Sequence, residues 1–128
     1  MSSSDRLNPQ QLQMFMPAGE LRREVYPLDS VAYGTRRHVP GDPEVIEETF
    51  AGALSLSKYV PEWKKERGDK SLYDQIAAEG VKKPVRLTTE EGGQFVPEGY
   101  NLALLDGHHR VSSAADINPT MEVPVIHE

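Results

Sequence analysis

Leu102-Ala103-Leu104-Leu105-Asp106-Gly107-His108-His109-Arg110-Val111-Ser112-Ser113-Ala114-Ala115 is the stretch that decides how the chain is read. Four apolar residues run directly into an acid, a glycine, two histidines and an arginine. The apolar run has the length and flanks of a short buried strand. Val111, Ala114 and Ala115 then fall at i, i+3 and i+4, on one helical face, until Asn118-Pro119 ends the pattern. Asp-Gly between apolar runs is also the commonest short hairpin signal, with Asp106 and Gly107 as a type I′ turn and the histidines on a second strand. However, Ser112 to Asp116 is poor in β-branched and aromatic residues and would make a weak strand. The stretch is therefore read as strand, tight turn and helix.

A strand feeding a helix through a glycine leaves the amides of the first helical turn without backbone partners, with the positive end of the helix dipole behind them. Such a turn is a natural seat for phosphate. Gly107 lets a ligand approach the backbone, while His108, His109 and Arg110 add directional donors, so Gly107 to Arg110 are the phosphate-binding candidates. The catalytic candidates are His108, His109 and Asp106. A histidine titrates near neutral pH and can give a proton to a leaving oxygen. Asp106, at the strand end, is the candidate ligand for Mg²⁺, through one carboxylate and waters; it is equally placed to serve only as an N-cap. One of two adjacent histidines on a helix often packs inward, so one functional histidine is expected, not two. Glu24, Asp29 and Glu44 are the unranked candidates for an acidic general base.

At 128 residues and 14.3 kDa, the chain is long enough for one domain with a single core. A net charge of −6 argues against electrostatic coating of nucleic acid, which relies on Lys and Arg neutralising phosphates; a local basic patch stays open. The absence of cysteine removes disulfides, thiolate metal sites and thiol catalysis. A zinc site is not expected either, because His108 and His109 are adjacent, while His38 and His127 lie at no ligand-like spacing. No apolar run approaches the length of a membrane span, and Met1 to Arg6 lacks the apolar centre of a signal peptide. A cytoplasmic protein with no membrane partner is the expectation.

Outward from the central stretch, residues 1–13 read as a flexible polar leader and 14–128 as a single domain. Met14-Phe15-Met16 is an apolar cluster expected to anchor the leader to the core or to pack on a partner chain. Glu20 to Tyr26 leads into Pro27-Leu28-Asp29-Ser30-Val31, and Val25 with Leu28 and Val31 suggests a short strand and a turn entering the domain. Ala32 to Asp42 is a loop, and its Arg36, Arg37 and His38 are second-rank site residues because loops concentrate binding groups. Asp42-Pro43 opens a helix with an N-cap acid and a proline in the first position. Ile46, Phe50, Ala53 and Leu54 make that helix's buried face. Ser55 to Asp69 reads as a polar connector around Trp63, a lid over the core edge or, beside its basic neighbours, a ring on which a base could stack. Ser71-Leu72-Tyr73-Asp74 has the form of a capping box and Gly80 that of a helix stop. Val85 to Thr89 alternates as a strand, Glu90 to Tyr100 is a long hairpin connection with a flap at Phe95-Val96, and Glu122 to Ile126 is a last strand that Pro124 confines to an edge or a strand start. The fold class is α+β: a small mixed sheet with flanking helices.

Four features in order carry a resemblance to a known family: Leu72 to Val81, then Lys83-Pro84-Val85, then Leu104 to Val111, then Val123-Pro124-Val125. They resemble the helix ending in Gly-Val, the following Pro-Val strand, the Gly-x-x-Arg phosphate motif and the closing Val-Pro-Val strand of the ParB/sulfiredoxin superfamily. The similarity runs from Ser71 to Ile126, a little under half the chain. Small phage-encoded ParB-like proteins also resemble it at Met14-Phe15-Met16, which implies a phage or actinobacterial-type origin. The resemblance implies a compact ParB/sulfiredoxin-like domain with a phosphate-handling pocket at Gly107 to Arg110, and no single activity. The superfamily includes CTP-binding partition proteins, sulfiredoxins, free-serine kinases and proteins described as ParB-like nucleases. Sulfiredoxin chemistry needs a cysteine where His108 stands, which excludes it. Partition proteins carry Gly-Glu-Arg-Arg here and continue into a DNA-binding domain and a dimerisation tail. Asp-Gly-His-His-Arg is closer to the kinase and stand-alone phage branches.

The leading expectation is a domain that binds a nucleotide (ATP, ADP or CTP) or a nucleic-acid phosphate and hydrolyses or transfers a phosphoryl group, with Arg110 as the clamp. The alternatives are a binding module without turnover, a ParB-like nuclease or DNA-binding protein using a groove of Arg36, Arg37, Lys82 and Lys83, and an adaptor acting on a host protein. The sequence leaves the oligomeric state open.

Overall fold

Ala103 and Leu104 are fully buried, and the strand they open runs through Gly107 into a ten-residue helix. The strand-turn-helix reading of the central stretch is therefore what the chain adopts, and the hairpin is not. The computed structural model describes residues 14–28, 43–89, 96 and 99–127. In chain order these form β1 (Met14–Pro17), α1 (Ala18–Glu24), β2 (Tyr26–Pro27), α2 (Pro43–Lys58), α3 (Glu62–Glu66), α4 (Leu72–Glu79), β3 (Val85–Thr88), β4 (Ala103–Asp106), α5 (His108–Ile117) and β5 (Glu122–His127). The expectations placed on residues 1–13, Asp29, Arg36, Arg37, His38, the Asp42 cap and Phe95 lie outside the described residues.

The strands make one mixed sheet in the order β1-β5-β3-β4-β2. β1 is antiparallel to β5, β5 parallel to β3, β3 antiparallel to β4, and β4 parallel to β2. Around it, α5 packs against α1, α2 and α4. The core joins Val85 and Leu87 of β3, Val123 and Val125 of β5, Val111 of α5, Phe50 of α2 and Leu21 of α1. Each fully buried side chain of this kind contributes about 1.5–3 kcal/mol. The fold is thus compact α+β, a mixed sheet with flanking helices. No helix among the described residues is long and apolar enough to cross a membrane.

Local chemistry explains most boundaries. Ser71 Oγ accepts the Asp74 amide at 3.0 Å, the N-cap bond expected of the Ser-x-x-Asp box. Gly80 ends α4 with φ +77, its amide donating to the Ile76 carbonyl.

One element is added and three expectations are corrected. The short strand and turn expected about Val25 and Leu28 are present as β2 and the turn at Leu28, and ahead of them stands a helix, α1, whose cap is tertiary. Pro17 offers no side-chain cap, and the amides of Ala18 and Gly19 donate instead to the carbonyls of Met121 and Pro119, at 2.8 and 2.7 Å. The connector at Ser55 to Asp69 is largely helical: α2 continues to Lys58, and α3 forms without a single buried residue, so it has no apolar period to read. Trp63 is no lid, being 57% exposed. Finally, β5 is an interior strand, although it contains proline. Its ladder with β3 begins only at Val125, so Pro124 stands where β5 is flanked by β1 alone.

Candidate functional site

The β4–α5 turn is built on a glycine that any side chain would strain. Gly107 caps α5 with φ +110 and ψ +20, a conformation L side chains rarely adopt. A Cβ there would also stand 2.5 Å from Val85 Cγ1 and 2.8 Å from Val85 Cβ. The turn is thereby seated directly on β3.

Arg110 reaches back over this turn. Its Nη1 donates to the carbonyls of Lys83 and Pro84 at 2.8 and 2.6 Å, and its Nη2 lies 3.2 Å from Asp106 Oδ2. With its side chain only 13% exposed, the guanidinium is a fixed group that ties the α4–β3 connection to the end of β4. A guanidinium has more donors than these three acceptors use. It forms one wall of a cleft of about 190 Å³, also lined by Gly80, Val81, Lys82 and Lys83. The acid in that wall is Glu79, which accepts a 2.6 Å bond from Lys82. That bond holds the Glu79 carboxyl below the usual carboxylate range.

The two histidines part company. His108 is 3% exposed and packs against Phe50, ring centres 6.4 Å apart. Its neighbour His109 is exposed. The His109 carbonyl accepts a 3.4 Å bond from Ser57 Oγ, and the residue lines a second cavity of about 320 Å³ with Tyr59, Lys64 and Lys70. One imidazole is core and the other accessible, as expected of an adjacent helical pair. Any proton transfer at this turn would thus fall to His109, since His108 is spent on packing.

Asp106 stands at the end of β4, where its Oδ2 is already engaged by Arg110. Among the described residues no three His, Asp or Glu side chains converge on a point. A Mg²⁺ ion at Asp106 would share the carboxylate with a guanidinium and take most of its shell from water and phosphate oxygens, the usual manner for this ion. The candidate bases lie elsewhere. Glu44, at the opposite end of α2 from Ser57, is roughly 20 Å from the His109 contact at helical rise. Glu24 ends α1, next to the Tyr26–Ala103 pairing, at the far end of β4 from Asp106.

The structure therefore brings Asp106, Gly107 and Arg110 together with Lys82 and Lys83, sets His109 around the corner, and buries His108. Sequence reasoning missed the wall made by Tyr59, Lys64 and Lys70 beside His109. The available signal was the clustering of lysines on both sides of Ser71. No family model matches the chain, and no curated protein or solved structure matches it.

Proposed function

We propose that the chain is a ParB/sulfiredoxin-like domain that binds a nucleotide or a nucleic-acid phosphate in the cleft between Lys82, Lys83 and Arg110. The observation that carries this reading is the immobilised guanidinium. Three acceptors hold Arg110 in place before any ligand arrives, so little side-chain entropy is lost when phosphate oxygens take its remaining donors. Lys82, bonded to Glu79, and the exposed Lys83 add positive charge at the rim. The motif resemblance at Gly107 to Arg110 supports the same ligand through Arg110, the motif residue that lines this cleft.

Among the described residues the geometry carries binding further than turnover, for which His109 is the accessible candidate. His108 is buried against Phe50, and Glu24 and Glu44 are remote from the turn. Mg²⁺ enters this reading as the nucleotide's own counter-ion, with Asp106 the nearest carboxylate. A cytoplasmic setting, where such ligands occur, goes with it.

Calorimetric titration with ATP, ADP, CTP and a short oligonucleotide, each with Mg²⁺, tests the reading. At least one is expected to bind, and Lys82→Ala combined with Lys83→Ala to abolish that binding; both side chains are exposed, so the fold survives. Glu79→Gln is expected to tighten binding a few-fold by releasing Lys82. Arg110→Lys should bind weakly, because a point charge cannot keep both the carbonyl contacts and the fork. No heat with any of the four ligands would refute the proposal.

A further inference from the structure

Leu72 and Gln75 line both the Arg110 cleft and the larger cavity beside His109, so the two meet along α4. Tyr59, 67% exposed, lines the larger cavity, and Trp63, 57% exposed, stands on α3 next to the lining residue Lys64. Their surroundings are cationic. Lys64 Nζ and Arg67 Cζ lie 5.4 and 5.0 Å from the Trp63 ring centre. Arg67 is committed to Asp69, whereas Lys64 and Lys70 make no ion pair among the described residues.

The charge distribution points the same way. Residues 58–83 carry seven of the chain's fourteen Lys and Arg but only five of its twenty acids. The acidic total thus hides one basic segment, and that segment contains both rings and most of the groove.

We infer that this groove binds single-stranded nucleic acid, its phosphates on Lys64, Lys70, Lys82 and Lys83 and its bases stacked on Tyr59 and Trp63. The inference rests on the phosphate reading of the Arg110 cleft and extends it along α4. Exposed rings interleaved with lysines are what an unpaired strand needs, because every base offers a face for stacking while the backbone meets the cations. A duplex hides those faces, and an acidic peptide would engage the lysines with no use for the rings.

Trp63 is the chain's one tryptophan, so its emission reports stacking directly. Titration of the full chain with a short oligodeoxythymidylate is expected to quench that emission in step with the anisotropy of a labelled strand. Trp63→Ala and Tyr59→Ala should each weaken binding about tenfold, and Trp63→Phe should keep most of it. Lys64→Ala and Lys70→Ala should each lower the log–log salt slope by about 0.7. Circular dichroism checks that these surface variants are folded.

If polyphosphate and polyglutamate bind as tightly as the oligonucleotide, or if Trp63→Ala and Tyr59→Ala bind like wild type with no quenching, the inference is overturned. The Arg110 cleft then still stands, provided Lys82→Ala with Lys83→Ala abolishes nucleotide binding. If that double variant binds ATP and the oligonucleotide like wild type, the cleft reading itself fails, and the groove that needs it fails too.

Discussion

Gly107 carries two separate demands, and they can be separated by experiment. The left-handed backbone costs an L residue about 1–2 kcal/mol, and the contact with Val85 adds an overpacking cost of about 1–3 kcal/mol. Gly107→Ala is accordingly expected to lower stability by about 3 kcal/mol. Val85→Ala removes the 2.5 Å Cγ1 contact, keeps the Cβ at 2.8 Å and leaves φ at +110, so it relieves the crowding only in part. In a double-mutant cycle by urea unfolding, the two substitutions together should cost less than the sum of the singles. Strict additivity would mean that Val85 does not press on the turn. The same residues show why Arg110 was legible only in part. Its pattern with Gly107 announces a phosphate motif, yet nothing in the sequence says that the carbonyls of Lys83 and Pro84 hold its guanidinium.

At the scale of elements, legibility followed the kind of interaction that fixes each one. The Ser71 cap, the Gly80 stop and the Ile46-Phe50-Ala53 face are local, and they fix α4 and α2 from nearby residues. α1 is fixed by carbonyls of Pro119 and Met121, a hundred or more residues away, so no window of sequence contains its cap. Within the candidate site, the turn is readable, but beside it only Trp63 and its basic neighbours are, because the cavity next to His109 is made where α4 meets the connection after α2. The tie between α1 and α2 makes a testable case. Arg22 lies 4.3 Å from the Phe50 ring centre and grips Glu47 with both guanidinium Nη atoms, at 3.0 and 2.9 Å. Hydrogen bonding from Arg22 holds the Glu47 carboxyl below its ordinary value of 4.5, against a smaller opposing effect of burial. A carboxylate with a depressed folded pKa adds stability above its unfolded pKa and loses it as the pH falls through the folded one. Glu47 is 69% exposed, so the contribution is about 0.5 kcal/mol or less. The melting temperature of Glu47→Gln should therefore lie slightly below wild type at neutral pH and converge with it in acid below 4.5. A gap that widens in acid would contradict this assignment.

Across the whole molecule, the organising fact is that both edges of the sheet, β1 and β2, come from residues 14–27. One short segment reaches from edge to edge, and α1 is the span between. Ala18, Leu21, Val25 and Tyr26 are buried along it, so the segment belongs to the core and should unfold with it. Leu21 has no exposure, and its truncation to alanine is expected to cost about 2–5 kcal/mol. Against a total of about 5–15 kcal/mol for a domain, that is a large loss. If the segment were an arm laid on an independent core, Leu21→Ala would loosen the edges and leave the remaining helices unmoved. A single cooperative unit instead shifts every signal together. Far-UV dichroism follows the helices, while near-UV dichroism of Tyr26 and Tyr100, whose ring centres are 5.6 Å apart, follows the β2 edge. Both should move to one lower midpoint in Leu21→Ala. Trp63 emission cannot decide the matter, because a ring already 57% exposed changes little when the chain unfolds. A near-UV transition that separates from the far-UV one would show that the N-terminal span and the helical layer are distinct units.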